Sequence, residues 1–302
     1  MNWEETVGFF SLCLPRPIGR AFALAPENGV RELRVCAGRP AVLMTTEGER
    51  ACGFTPGAQQ VGDMAEALCE HALYARAEEQ RQGFVTLRGG HRMGLCGRVV
   101  AQGTSVRALR DISSLCVRVA GQWEGAADTL VPHLTSGGRV RSALIIGLPG
   151  SGKTTVLRDA CRQLSDAGHR VAIADERSEL AAMSRGAPQL DVGARTDVLD
   201  GVCKEIALRW LLRSMSPEII ATDELGAATD ALAVLEAAQS GVAVLATAHA
   251  RTLDEALSRG TLYHLAQNKA FSRYAVLDEK RAGRIAGIYD ESMQPLYVGG
   301  EQ

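Results

Sequence analysis

The most chemically specific residues of the chain lie together. Gly147, Leu148, Pro149, Gly150, Ser151, Gly152, Lys153 and Thr154, followed by Thr155, have the G-x-x-x-x-G-K-[ST] spacing. Glycines at these places let a tight turn point backbone N–H groups at a polyphosphate, and a lysine directly after the last glycine reaches the β- and γ-phosphates. The hydroxyl of Thr154 is of the type and place that ligate Mg²⁺. An apolar run, 142–146, precedes the turn and a helical pattern opens at Lys153, which puts the turn at a helix N-terminus. A glycine-rich turn without a ligand is the alternative reading, and the strand–turn–helix context argues against it. These residues imply binding of a nucleoside triphosphate, ATP, together with Mg²⁺.

Two further runs end in carboxylates. Residues 217–224, Pro-Glu-Ile-Ile-Ala-Thr-Asp-Glu, read as an apolar strand tipped by Asp223 and Glu224. There Asp223 would hold the hydration shell of the metal and Glu224 would polarise an attacking water. Residues 171–179, Val-Ala-Ile-Ala-Asp-Glu-Arg-Ser-Glu, carry Glu176 and Glu179 at the end of a second strand. Several carboxylates around one Mg²⁺ can share the work of a base, and the sequence does not rank these two. A third strand, 241–249, ends in Thr247, Ala248 and His249. Its imidazole could donate a hydrogen bond near the γ-phosphate and respond to its loss. No other metal chemistry is suggested. The eight cysteines (13, 36, 52, 69, 96, 116, 161, 203) are scattered with no C-x-x-C pair, as free thiols of a reducing compartment are.

These groups need a scaffold, and the second half of the chain spells one out. Apolar strand candidates at 143–146, 171–174, 219–222 and 242–246 alternate with helical patterns at 154–164, 204–215 and 229–238. Such alternation predicts an α/β domain with a mostly parallel sheet whose ligands gather at the carboxyl ends of the strands. The tail from Tyr274 to Val298 reads as shorter, more polar strands forming an antiparallel edge. In the first half, 32–36 and 41–45 flank Gly38-Arg39-Pro40 as a hairpin. A helix is predicted over 59–76, and strands over 84–87 and 91–99. The expected organisation is an N-terminal α+β domain, 1–135, and a nucleotide-binding domain, 136–302, divided in the stretch Thr135-Ser-Gly-Gly-Arg139.

Composition bounds the function. With 302 residues, 46% of them apolar and 23% charged, the chain has room for two cores. The 33 basic and 35 acidic residues give a net charge of −2, and aromatics make up only 5%. A nucleic-acid-dependent ATPase is the alternative of another class, but a basic tract interleaved with aromatics is missing, so nucleic acid is not an expected partner. A nucleotide-gated scaffold that scarcely hydrolyses is a further alternative. No run approaches ~18 uninterrupted apolar residues, and acids occupy the N-terminus where a signal peptide needs positive charge. The expected location is the cytoplasm.

The order of phosphate loop, acid-tipped strand, Asp-Glu strand and Thr-Ala-His strand resembles the type II and type IV secretion ATPases. More closely, the chain resembles the stage III sporulation protein AA family. The strings that carry this resemblance are 89–98 (Gly-Gly-His-Arg-Met-Gly-Leu-Cys-Gly-Arg), 110–114, 175–179, 191–201 and 213–226, so it spans nearly the whole chain. It implies a RecA-like P-loop ATPase behind an N-terminal domain, assembled as a homo-oligomeric ring, a hexamer. Such a motor would be recruited to membrane proteins of a sporulation channel complex on the mother-cell side and would energise the passage between mother cell and forespore. It also implies that an N-terminal arginine reaches a nucleotide, with Arg92, Arg98 and Arg118 as candidates and Arg98 preferred. Two residues depart from the usual pattern of the secretion enzymes: Arg177 stands where they usually carry proline, and Asp223 where they usually carry glycine. The four-cysteine metal module of some type II enzymes is absent.

Overall fold

A computed structural model of the chain describes residues 1–81, 83–103, 105–121, 123–135 and 138–300, with Glu78 and Ser105 in backbone only. Two compact units result: Met1–Gln122 together with Ala182–Leu190, and Trp123–Ala181 together with Asp191–Gln302. The expected boundary at 135/136 falls inside the second unit. Residues 136 and 137 of the glycine stretch lie outside the described residues. Residues 123–135 join the second unit because Leu130 and Leu134 are fully buried. The Ala127 N–H also donates to the Asp159 carboxylate at 2.8 Å, and Arg273 donates to the His133 carbonyl at 3.1 Å.

The first unit opens with α1 (Trp3–Cys13) and α2 (Arg16–Ala23). A capping box starts α1: Asn2 accepts from the Glu5 N–H and Glu5 from the Asn2 N–H. Strands β1 (Val30–Cys36), β2 (Val42–Thr45) and β3 (Gly48–Ala51), helices α3 (Ala58–Leu68) and α4 (Ala77–Arg81), and strands β4 (Phe84–Thr86), β5 (Arg92–Gln102) and β6 (Ser105–Arg118) follow. All pairings of this sheet are antiparallel, in the order β3-β2-β1-β6-β5-β4. The predicted helix over 59–76 stops early. Glu70 and His71 both adopt left-handed backbone, φ 53° and 59°, which no helix can continue through. Only a 3₁₀ turn, Tyr74–Arg76, remains of its second half.

The second unit holds α5 (Val131–Leu134), β7 (Ala143–Gly147), α6 (Lys153–Asp166), β8 (Val171–Asp175), β9 (Thr196–Asp200), α7 (Lys204–Ser214), β10 (Ile219–Thr222) and α8 (Ala228–Gln239). It continues with β11 (Ala243–His249), α9 (Leu253–Ser258), α10 (Gly260–Gln267), β12 (Arg273–Leu277), β13 (Ile285–Asp290) and β14 (Pro295–Val298). The sheet order is β14-β13-β12-β7-β11-β10-β8-β9. This sheet is mixed, with its antiparallel part at the edge expected of the C-terminal tail. The run from β12 to β9 pairs in parallel, whereas β12–β13 and β13–β14 pair antiparallel. The reason is connection length: residues 278–284 and 291–294 suffice for a reversal but not for a crossover. Every residue of β7, β8 and β10 is buried, as expected of strands covered on both faces. Strand β9 escaped prediction because only Val198 and Leu199 of its five residues are apolar and none is fully buried. Among the described residues no helix is long and apolar enough to cross a membrane.

One buried polar group in the first unit has a measurable consequence. The His91 ring packs on Phe9 and Phe10 and its Nδ1 accepts the Ala120 N–H at 3.0 Å. Its Nε2 finds no partner among the described residues. Burial pushes its pKa down to about 3, against roughly 6.5 in an unfolded chain. Protonation therefore favours unfolding, so the contribution is complete above about pH 6.5 and is lost as pH falls toward the folded value. Denaturant melts between pH 7 and 5, above the range where carboxylates dominate, should show stability falling by about 1.4 kcal/mol per pH unit once below pH 6.5. In His91→Gln that slope should disappear.

Candidate functional site

The phosphate-loop string joins β7 to α6 as its context required. Gly152 is the N-cap of α6 with φ 90°, and no side chain caps this helix. The first turn of a helix has no partners of its own for its N–H groups, so here they face outward as donors. A side chain at Gly152 would be strained by its φ. Its Cβ would also stand 2.6 Å from the backbone nitrogen of Gly283. That close approach carries a hydrogen bond: the Gly283 N–H donates to the Ser151 carbonyl at 2.8 Å, so the β12–β13 connection backs the loop. The Ser151 hydroxyl is buried without a partner among the described residues.

Lys153 is buried at the start of α6. Its ammonium donates to the Leu148 carbonyl at 2.8 Å and to His249 Nδ1 at 3.0 Å. Burial pushes its pKa down, opposed by the charges of Asp223 and Glu224. Because an ammonium only donates, Nδ1 of His249 is the accepting nitrogen and Nε2 carries the proton. That Nε2 lies 3.1 Å from Glu224 Oε1.

The two acids after β10 have separate environments. Asp223 Oδ2 accepts from the Thr154 hydroxyl at 2.6 Å, and Oδ1 accepts from the Thr247 hydroxyl and, at 3.0 Å, from the Glu224 N–H. Glu224 has left-handed backbone, φ 52°. A non-glycine residue pays about 1–3 kcal/mol for such a conformation and keeps it only where neighbours impose it. Here β11 imposes it: the Glu224 N–H donates to Thr247 Oγ1 at 2.8 Å, and the Leu225 N–H donates to the Thr247 carbonyl at 2.8 Å. Glu224 Oε2 meets Arg177 at 2.8 Å.

The remaining predicted residues divide. Glu176, after β8, pairs with Lys204 at 2.6 Å. Glu179 is exposed and its backbone N–H donates to Asp175 at 2.8 Å. Both line the same end of the sheet as Lys153, Asp223 and His249. Arg98 belongs to the first unit, on β5, where it is 78% exposed and pairs with Asp111 at 3.7 Å. Arg92 and Arg118 stand directly opposite each other in register on β5 and β6.

Sequence reasoning missed three supporting groups. Buried Asp175 accepts the N–H groups of Glu179, Leu180 and Ala181; burial raises the pKa of its carboxyl, and these bonds oppose that rise only in part. Arg158 of α6 is buried and donates to the carbonyls of Leu180 and Glu179, at 2.6 and 2.7 Å. Its one signal was a charge on the otherwise apolar face of α6. Thr247, read only as part of a strand end, touches both acids.

Chemically, the arrangement is an anion cradle of first-turn N–H groups and an ammonium, beside a hydroxyl–carboxylate pair able to hold a hard cation. A carboxylate in contact with an imidazole completes it. A cavity of about 420 Å³ opens at Glu224, His249, Arg177, Glu176 and Lys204. A larger cavity, about 860 Å³, belongs to the first unit between α3 and β6 and contains none of these groups.

The family described as "Sporulation stage III, protein AA" matches residues 16–296 of this chain. Over 288 residues the chain is 38% identical to the stage III sporulation protein AA of Bacillus subtilis (strain 168), covering 92% of this chain and 93% of that one. Among solved structures, the fold is similar to that of the Legionella pneumophila ATPase DotB, with TM-score 0.58, 16% identity, and coverage of 86% of this chain and 74% of that one. It is also similar to the pilus retraction motor PilT with bound ADP, with TM-score 0.56, 17% identity, and coverage of 82% and 74%. At these identities the structural likeness is one of fold.

The Gly152 geometry is directly testable. Gly152→Ala should lower the stability of the second unit by about 1–3 kcal/mol, from its left-handed backbone and the overlap with Gly283. Gly150→Ala, at φ 77° with open space around it, should cost only the backbone term. Urea unfolding of the two variants side by side checks the difference.

Proposed function

The chain belongs to the sporulation stage III protein AA family, and from that membership we propose that it is a Mg²⁺-dependent ATPase of the secretion type. The observation that carries this reading is the continuous constellation at the carboxyl end of the second unit's sheet. Lys153 reaches His249, His249 reaches Glu224, and Thr154 reaches Asp223. Each of these partners occupies a place that a ligand would claim.

The residues fit the triphosphate and its metal. The N-terminus of α6, the buried ammonium of Lys153 and the Ser151 hydroxyl, buried without a partner among the described residues, suit the phosphates. Thr154 Oγ1 and Asp223 Oδ2 would hold Mg²⁺, Asp223 partly through water. When bound, the metal would neutralise charge developing on the phosphate oxygens. Lys153 would turn from Leu148 and His249 to the β- and γ-phosphates. Glu224 would accept a proton from the water attacking the γ-phosphorus as the new P–O bond forms and the β–γ bridge breaks, leaving ADP and inorganic phosphate. Glu176 and Glu179 stand nearby as the other carboxylates able to share in that proton's handling. His249, released by Lys153, would respond to the presence of the γ-phosphate.

In this reading the chain works in the cytoplasm of the mother cell. It assembles as a hexameric ring with itself and is recruited to membrane proteins of a channel complex between mother cell and forespore. The first unit, which holds most of the N-terminal domain expected over 1–135, faces the partners and supplies an arginine to a neighbouring nucleotide. Arg98 was the sequence choice for that role, and the juxtaposed Arg92 and Arg118 are equally placed candidates within their unit. Hydrolysis at subunit interfaces would drive rigid-body movement between units.

ATP turnover of the purified chain, measured against protein concentration with and without single-stranded DNA, tests the reading. Turnover should rise with concentration and ignore DNA. Lys153→Ala should abolish it while the fold persists. Glu224→Gln should bind ATP yet hydrolyse it at least about 100-fold more slowly. Wild-type turnover in Lys153→Ala would sink the assignment, and normal turnover in Glu224→Gln would move the base to Glu176 or Glu179. DNA stimulation that disappears with salt would instead favour a nucleic-acid-dependent enzyme.

A further inference from the structure

Four side chains form an unbroken line in the second unit: Lys153 to His249 at 3.0 Å, His249 to Glu224 at 3.1 Å, and Glu224 to Arg177 at 2.8 Å. The two oxygens of Glu224 therefore answer to different partners. The bond at Oε1 comes from His249, whose other nitrogen is tied to the phosphate-reaching lysine. Anything that draws the Lys153 ammonium away also loosens His249, and with it the contact at Oε1. The bond at Oε2 comes from Arg177 and has no connection to the phosphate loop.

Arg177 is presented from a turn with anchors of its own. The Asp175 carboxylate accepts three successive N–H groups just beyond it. The Ser178 hydroxyl donates to Asp200 at 2.9 Å, and the buried Arg158 grips the carbonyls of Glu179 and Leu180. The turn is tight enough that Ser178 adopts φ 53°. A guanidinium is well suited to orienting a carboxylate, because it is directional, stays charged, and has no acceptor with which to compete for the transferred proton.

We propose that Arg177 is the positioning residue of the hydrolytic base. It holds Glu224 by Oε2 so that Oε1, when His249 withdraws, points its lone pair at the attacking water. This rests on the ATPase reading above. A base held by a third group is a recurrent arrangement, and loss of the holder acts on the reacting geometry rather than on ground-state binding. The pair is also a poor candidate for a stabilising bridge. Arg177 is 61% exposed and Glu224 38%, and such pairs add little to folding.

The test is steady-state hydrolysis of Mg²⁺–ATP by the full chain as wild type, Arg177→Gln, Arg177→Lys, Glu224→Gln and the double variant Arg177→Gln/Glu224→Gln, with thermal melts of each. Arg177→Gln should melt with the wild type and keep its KM for ATP, while kcat falls roughly tenfold or more. Arg177→Lys should recover part of that loss, since it keeps the charge but not the fork. In the Glu224→Gln background, removing Arg177 should cost nothing further, because the two act as one unit. Unchanged kcat in Arg177→Gln, a raised KM at constant kcat, or fully additive losses in the double variant would each overturn the proposal. If the wild type itself hydrolyses no faster than Lys153→Ala, the ATPase reading fails and the positioning role fails with it. That outcome is distinct from a wild type that turns over alongside an unaffected Arg177→Gln.

Discussion

The carboxylate of Asp223 is the junction on which the second unit's site depends. One oxygen accepts the Thr154 hydroxyl from the start of α6, and the other accepts the Thr247 hydroxyl from β11 and the N–H of Glu224 beside it. Two segments far apart in sequence are thus referred to a single acid. Thr247 in turn accepts the N–H of Glu224, so the left-handed conformation that aims Glu224 at His249 is held by the same small cluster. The strain at Glu224 is carried by bonds that have little freedom to relax, since each partner is itself bonded to another member.

That cluster can exist only because four neighbouring parallel strands end on the same edge of the sheet. Parallel pairing sets Thr222 against Ala246 on one side and Ala174 on the other, and sets His249 against Gly147. Along their length these strands bury apolar side chains on both faces, leaving no place for an acid or an ammonium except at the ends. The charged groups of the site therefore collect where β7, β8, β10 and β11 stop. The antiparallel edge contributes from outside: the turn after β12 donates the Gly283 N–H to Ser151 and closes the back of the loop.

How legible the site was in the sequence follows from the distance over which each interaction acts. The Lys153 loop could be read directly because a glycine turn at a helix N-terminus is a local device, complete within nine residues. Strand ends carrying Asp223, Glu224 and His249 were legible because an apolar run followed by polar residues marks where burial stops. The supports were not. Arg158 and Asp175 work by gripping backbone groups of the 175–181 turn, and nothing in residue type announces which carbonyl a buried arginine will find. In the first half, the helix predicted to Arg76 broke at Glu70 and His71, neither a glycine nor a proline, because surrounding structure imposed left-handed backbone on ordinary residues. The sequence also read the last strands as an edge but could not say that their turn would brace the loop before α6.

By itself, then, the sequence determined that this chain carries a G-x-x-x-x-G-K-T turn, two acid-tipped strands and a histidine-tipped strand on an α/β frame, because periodicity and turn chemistry are local properties of the chain. Only the tertiary structure decided which of those groups touch. It joined Lys153 to His249, His249 to Glu224 and Glu224 to Arg177, gave Glu176 to Lys204, and left Arg98 in the other unit. Which strands become neighbours, and in what register, is settled by packing across the whole sheet, and a shift of one strand would exchange every one of these partners.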